Sequence, residues 1–267
     1  MTVLGDVSFD GIADEFECDI YGSTKGAVRL AVLWSVLNED VPALADRPMR
    51  ILDAGGGSGH MAVRLAGLGH SVVLCDVSEE MLAKATARAA EAGVGDSIDI
   101  RHMSIQQYAD IADHKFDLVL CHAVLEWLED PKSAVIDLAR LVKPGGQLSV
   151  MFYNRFASLL KRTLAGDFEA ALGDYQTGPI RRGWGEGATA LDYGMVVSWL
   201  EDQGLEVNAK AGIRIFHDHV VDKLDGPQRL TQLMELEKAV CRSEPFASLG
   251  QHTHLTCRSV GVPAEDA

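Results

Sequence analysis

Residues 53–59 read Asp-Ala-Gly-Gly-Gly-Ser-Gly, and the next apolar run, SVVLCD, ends at Asp76. Glycine reaches positive φ and lets a ligand approach the main chain with no Cβ between them. An acid at the end of the following strand accepts hydrogen bonds from both hydroxyls of a ribose. This chemistry suits a nucleoside-containing cofactor gripped at the carboxyl edge of a parallel sheet. A dinucleotide site shares the geometry, and a tight turn without a ligand is the plainer alternative. A second set of residues suits an anionic substrate. Arg214 carries a planar fork that matches a carboxylate or a phosphate, although a surface strand arginine would look the same. Arg155, Lys161, Arg162, Arg181 and Arg182 gather in one stretch. They supply either a local positive field or merely scattered solvated charge. His217/His219 and His252/His254 form two His-x-His pairs, each expected on one side of a strand. Four histidines can bind a metal. With no thiolate or metal signature nearby, a polar lining or substrate contact is expected instead, and no metal is assigned.

The elements that must hold these groups alternate. MRILDAG, SVVLCD, SIDIRH, FDLVLCH and QLSVMFYN are short apolar runs that read as strands. Between them lie helical patterns: His60–Leu68, a helix capped by Ser78 with Glu79 and Glu80 in its first turn, and a helix opened by Asp130-Pro131. Alternation of this kind calls for a parallel sheet covered on both faces. Residues 154–190 interrupt the rhythm as an insertion. A helix then resumes near Asp192–Gln203, followed by a strand, LEVNAKAGIRIFHDH, a charged helix around Gln228–Arg242 and a last strand, GQHTHLTCR. The expected fold is α/β: a seven-stranded, mostly parallel sheet with an antiparallel last strand. One domain spans 1–267, with a helical N-terminal cap (1–48), a cofactor-binding core (49–153), the insertion, the C-terminal half of the sheet (191–258) and a tail (259–267).

The chain of 267 residues is 47% hydrophobic and 24% charged, a balance that buries a core. No apolar run reaches the roughly 18 residues of a membrane span, and the acidic N-terminal stretch lacks the pattern of a secretory signal. The five cysteines include no Cys-x-x-Cys pair and read as core residues in a reducing compartment, so a cytoplasmic protein is expected. A net charge of −15 is unusual for a binder of polyanions, which need a positive field somewhere on the protein. Arginine outnumbers lysine 15 to 9, and that scarcity with an acid excess would suit a salty cytoplasm.

Asp53 followed by glycines at alternate positions matches the Asp-x-Gly-x-Gly-x-Gly form of class I methyltransferases. So do the fourth strand ending in His122 and the LVKPGG turn before the fifth. More selective stretches run from about residue 9 to 258. FDGIADEFECDIYGSTKGAVRLAVLW, HAVLEWLEDP, VMFYN, GIRIFHD and ELEKAVCRSEPFASLGQHTHLTCR together resemble the tRNA 5-carboxymethoxyuridine methyltransferases. The resemblance implies a Rossmann-like fold and S-adenosylmethionine as cofactor. It also implies a tRNA substrate whose wobble uridine carries a carboxylate, the methyl acceptor. It places Arg29 against the methionine carboxylate, Gly55 and Gly56 along the cofactor, Asp76 on the ribose, Ile105 and Gln106 beside the adenine and His122 near the transferred methyl. Gln107 departs from the family pattern, which has an acid there.

A carboxylate acceptor, with a pKa near ~4, is already ionised at neutral pH and needs no general base, so no catalytic residue is assigned. Tyr21, Tyr153, Asn154, Arg214, His217, Arg181 and Arg182 are the substrate-binding candidates. The alternative is a methyltransferase acting on a small carboxylate or quinone precursor. A cofactor-binding module without catalysis and a dehydrogenase are more distant ones.

Overall fold

Strands form where short apolar runs meet glycine turns, and the computed structural model describes them within residues 6–177, 181–182 and 188–260. The N-terminal segment contains α1 (Ala13–Phe16), a π-helical turn (Glu17–Tyr21), α2 (Thr24–Asp40) and α3 (Ala43–Asp46). The core then runs β1 (Arg50–Ala54), α4 (His60–Gly67), β2 (Ser71–Asp76), α5 (Glu79–Glu91), β3 (Ile98–His102), α6 (Ile105–Ile111), β4 (Phe116–His122), α7 (Pro131–Leu141) and β5 (Val142–Tyr153). A 3-10 turn, Leu125–Trp127, follows β4. The insertion holds α8 (Arg155–Leu164), α9 (Phe168–Thr177) and a ribbon of β6 (Arg181–Arg182) and β7 (Ala188–Thr189). The chain continues through α10 (Tyr193–Glu201), β8 (Leu205–Ile213), α11 (His217–Val220), α12 (Pro227–Val240), α13 (Phe246–Leu249) and β9 (His252–Ser259).

The seven-stranded sheet has the order β3-β2-β1-β4-β5-β9-β8. β1 to β5 pair in parallel, while β9 runs antiparallel to both its neighbours. Each face is covered. Leu33 and Leu37 of α2, Leu65 of α4 and Leu82 of α5 bury one side of the strands with Leu74 and Leu120. On the other face Tyr108 of α6, Leu138 of α7 and Leu200 of α10 close over Leu52, Val119 and Val150. The order reverses between β1 and β4, and a crevice opens there at the carboxyl ends of the strands.

Two boundaries differ from expectation. β5 starts at Val142, so the Lys-Pro-Gly-Gly stretch lies inside the strand and bulges where Phe116 and Leu118 pair. β8 stops at Ile213, whereas the run through His219 was expected to be strand. Arg214 takes φ +61°, and His217 begins a helix. The pair His217/His219 therefore lies on a helix: His217 is buried and His219 exposed.

Candidate functional site

The crevice is a cleft of about 800 Å³. Its floor is the glycine loop. Gly55 sits at φ +68°, and a Cβ there would come within 2.6 Å of Val124 Cγ2. The loop is tied to β2 by its own acid. Asp76 Oδ2 accepts from the Gly57 N–H at 2.9 Å, and Oδ1 accepts from the Ser78 N–H at the same distance. Burial raises the Asp76 pKa, and these N–H donors work against the rise. Asp53 is buried beneath the loop with Oδ2 unpartnered, and burial pushes its carboxyl up to about 7.

The N-terminal segment crosses the cleft as a strap. Asp10 accepts from Ser78 Oγ and the Glu80 N–H, and Glu80 accepts from the Gly11 N–H. Asp14 pairs with Lys84. Glu17 binds Ser58 Oγ at 2.6 Å, His60 Nε2 at 2.9 Å and Arg88. Burial works upward on Glu17, yet the hydrogen bonds from His60, Ser58 and Arg88 bring it down from 4.5 to about 2. At the other bank Phe9 meets Trp127 edge-on. Gly26 lets α2 follow this segment closely, since a Cβ there would lie 2.2 Å from the Ile20 carbonyl oxygen. α2 delivers Arg29 to the cleft, buried, with its guanidinium 4.8 Å from the Tyr21 ring centre. Among the described residues Arg29 makes no ion pair. Tyr21 in turn stacks on His60 at 3.8 Å.

The far bank is built by β4, β5, β9 and the turn after β8. His122 ends β4, and Ala123 behind it adopts φ +59°, a strained turn for a residue with a Cβ. His122 Nε2 lies 2.8 Å from Ser149 Oγ, which lies 2.8 Å from His254 Nε2. Burial, then the Arg29 cation, brings His122 down to about 3, so it is neutral at physiological pH. His252 is also held well below its ordinary value, first by burial and then by Arg214 and Arg29. Arg214 lines the cleft and pairs with Asp218 at 3.0 Å. The other Asp218 oxygen meets His217 Nδ1 at 3.1 Å, and His217 Nε2 meets Thr24 Oγ1 at 2.8 Å. Glu237 of α12 fixes the turn by accepting from the N–H groups of Ile215, Phe216 and His217 at 2.7, 2.8 and 3.1 Å.

Arg29, Gly55, Gly56, Asp76, Ile105, Gln106 and His122 all line one cleft, as do Tyr21, Tyr153 and Arg214. Two substrate candidates do not. Asn154 is buried as the cap of α8, where its Oδ1 accepts from Phe156 N–H and its Nδ2 donates to the Ser248 and Gly250 carbonyls. His217 supports Asp218 rather than facing the cleft. The side chains of Arg181 and Arg182 lie outside what is described; their backbone pairs with Thr189 and Ala188. Gln107, the departure from the family pattern, completes a capping box with Ser104. Sequence reasoning missed Glu126, which lines the cleft from the turn after β4. The available signal was one acid inside the apolar run Ala-Val-Leu-Glu-Trp. Among the described residues no cluster of three potential ligands could hold a metal, and no helix is long and apolar enough to cross a membrane.

A family model described as a methyltransferase domain matches residues 52–150. A tRNA 5-carboxymethoxyuridine methyltransferase of Escherichia coli (strain K12) is 38% identical over 96% of this chain and 97% of that protein. A ubiquinone biosynthesis O-methyltransferase of Methylococcus capsulatus is 32% identical over 61% of this chain and 66% of that protein. Among solved structures, magnesium protoporphyrin IX methyltransferase from Synechocystis PCC 6803 with bound SAH superposes with a TM-score of 0.60. It is 18% identical and covers 94% of this chain and 95% of its own, a likeness of fold. Full-length similarity at this level, on a sheet and cleft of this form, places the chain in the tRNA 5-carboxymethoxyuridine methyltransferase family of class I S-adenosylmethionine-dependent enzymes.

Proposed function

We propose that this chain, working as one domain, methylates the carboxylate of 5-carboxymethoxyuridine at the wobble position of tRNA, giving the methyl ester. The observation that carries the reading is a pair of buried arginines, Arg29 and Arg214, in one cleft beside histidines too weakly basic to deprotonate a hydroxyl. Such a site suits an acceptor that arrives already ionised.

The residues present fit the cofactor. The Gly55 backbone lies where any side chain would meet Val124, so a ligand can approach the main chain only because Cβ is absent. Arg29, free of carboxylate partners among the described residues, would pair with the methionine carboxylate. Gly55 and Gly56 would contact the cofactor through their backbone, and Asp76 would accept from the ribose hydroxyls. Ile105 and Gln106 would flank the adenine, and His122 would border the methyl group. Bound S-adenosylmethionine supplies an electrophilic methyl on a sulfonium. The task left to the protein is alignment. Arg214 would orient one acceptor oxygen while Asp218 shares its charge. That sharing matters, because a naked cation would stabilise the ground-state carboxylate and slow its attack. Tyr21 and Tyr153 would wall the acceptor.

A tRNA substrate would put the enzyme in the cytoplasm, and the positive field it requires would come from the basic stretch of the insertion, Arg155, Lys161, Arg162, Arg181 and Arg182, of which Lys161 and Arg162 line the cleft. The test is methyl transfer to purified tRNA bearing the carboxymethoxy group. Transfer to that tRNA and not to its unmodified counterpart is expected; transfer to neither, with cofactor bound, would reject the reading.

A further inference from the structure

Glu126 is buried, with 3% of its surface exposed, and lines the cleft from the turn that follows β4. Its Oε2 has no hydrogen-bond partner and is closed off from solvent. Among the described residues no cation comes within ion-pair distance of it. The main-chain N–H groups of Glu126 and Tyr153 favour the ionised form of the carboxyl without closing a hydrogen bond to Oε2. An ionised carboxylate in such a place would carry a large desolvation cost without a counter-ion to offset it, whereas a neutral one would not. Protonated, the carboxyl gains an O–H that can donate, and its Oε2 stands without a partner. Buried polar groups left unpaired in a binding cleft are groups a ligand can satisfy.

We infer that Glu126 is carried as a neutral acid that donates a hydrogen bond to the methyl-accepting carboxylate, and that its ionisation expels that acceptor. The inference rests on the carboxylate acceptor proposed above. The donated bond orients one acceptor oxygen without adding a second cation, so the other oxygen keeps its nucleophilicity. No proton changes hands. The oxygen that accepts from Glu126 ends as the carbonyl of a neutral ester, a weaker acceptor, which favours release of the product. Burial, opposed by the two N–H groups and by Arg29, raises the Glu126 carboxyl to about 7, in keeping with this role. An incoming anion raises it further, as a like charge must.

Among the described residues, charged and titratable groups face Glu126 from several elements. Arg29 comes from α2, Asp53 from β1, Cys121 and His122 from β4, and Tyr153 from β5. Arg214 and His252 stand across the cleft, with Lys161, Arg162 and Asp167 at its mouth and Asp6 on the strap. β7 brings only Ala188 and Thr189, and the buried face of α7 only Ala134, Val135, Leu138 and Leu141. Cys121 is raised well above its ordinary value and His122 is neutral above about 3, so neither titrates near neutrality. Among these groups, Asp53 is also brought to about 7.

The experiment compares wild type, E126Q, E126A and D53N as full-length proteins. Infrared difference spectra in D2O should show a protonated-carboxyl band at pH 6 that is missing from E126Q and survives in D53N. With carboxymethoxyuridine tRNA, wild-type kcat/KM should fall about tenfold per pH unit above its pKa. E126Q keeps a neutral donor: it should be about fivefold slower at pH 6, lose the alkaline fall, and exceed wild type about twentyfold at pH 9. E126A should be slower still at pH 6, with S-adenosylmethionine affinity by calorimetry within about twofold of wild type. An E126Q profile parallel to wild type, or a spectrum without the band, would overturn the role while leaving the acceptor standing. Wild-type activity that rises through neutrality and collapses in E126Q would make Glu126 a general base, and overturn it too. Wild type that binds cofactor yet never methylates this tRNA would reject the acceptor, and this role with it.

Discussion

The two banks of the cleft are built on different principles. The cofactor bank is largely local: a strand, a glycine loop, a helix and the acid at the end of the next strand lie within residues 50–91, tied by bonds such as Gly57 N–H to the Asp76 carboxylate, with Arg29, Ile105, Gln106 and His122 added from α2, α6 and β4. The acceptor bank is assembled from distant segments. Arg214 depends on Asp218, Asp218 on His217, His217 on Thr24 of α2, and the turn that carries them on Glu237 of α12. The first bank would grip in good part through the main chain of Gly55 and Gly56, which side-chain substitution elsewhere does not remove. The second, as proposed, would work through side chains, each replaceable, so it is where specificity would be altered at least cost to the fold.

Substitutions should separate the banks. The largest effect is expected from Gly55→Val, which places a branched side chain at φ +68° against Val124. Cofactor affinity should drop at least about a hundredfold by calorimetry, and turnover with it; unchanged affinity would mean that the loop does not hold the cofactor. Arg214→Ala should lower kcat/KM for carboxymethoxyuridine tRNA about a hundredfold, about 3 kcal/mol, with S-adenosylmethionine affinity within about twofold. Parallel loss of cofactor binding would erase the distinction between the banks.

A smaller effect concerns the strap. Glu17 has a depressed pKa, so the stability it confers is complete above its unfolded value of 4.5 and is lost as pH falls toward about 2. Thermal melts of wild type should therefore decline more steeply through that window than those of Glu17→Gln; identical slopes would remove the latch. Least of all, Gln107→Ala forfeits one capping contact, about 0.5–1 kcal/mol, and should leave cofactor affinity alone. A large loss of affinity would restore position 107 to the adenine site.

The same division explains what could be read in advance. Every cofactor residue inferred from sequence lines the cleft: Gly55, Gly56 and Asp76 because strand, glycine loop and acid follow one another along the chain and their spacing sets their geometry, and Arg29, Ile105, Gln106 and His122, from α2, α6 and β4, because the family resemblance marked them. The sheet was legible for a similar reason, since alternating apolar runs have few ways to pack. The acceptor bank was read less well. The stretch GIRIFHDH looks like continuous strand, and period-two alternation then puts Arg214 and His217 on opposite faces. Only a carboxylate more than twenty residues downstream, Glu237, turns the chain instead. Asn154 has the polarity of a substrate ligand, but three backbone partners claim it. Glu126 went unnoticed because its meaning lies in what surrounds it: burial without a counter-ion is a property of three dimensions.

Glu237 sets a limit on how this enzyme can diversify. One carboxylate holding three consecutive amides makes α12 and the Arg214 turn a single mechanical piece. With Arg214 in its proposed role, a lineage that altered α12 would thus retune its choice of acceptor at arm's length, without touching a residue that meets it.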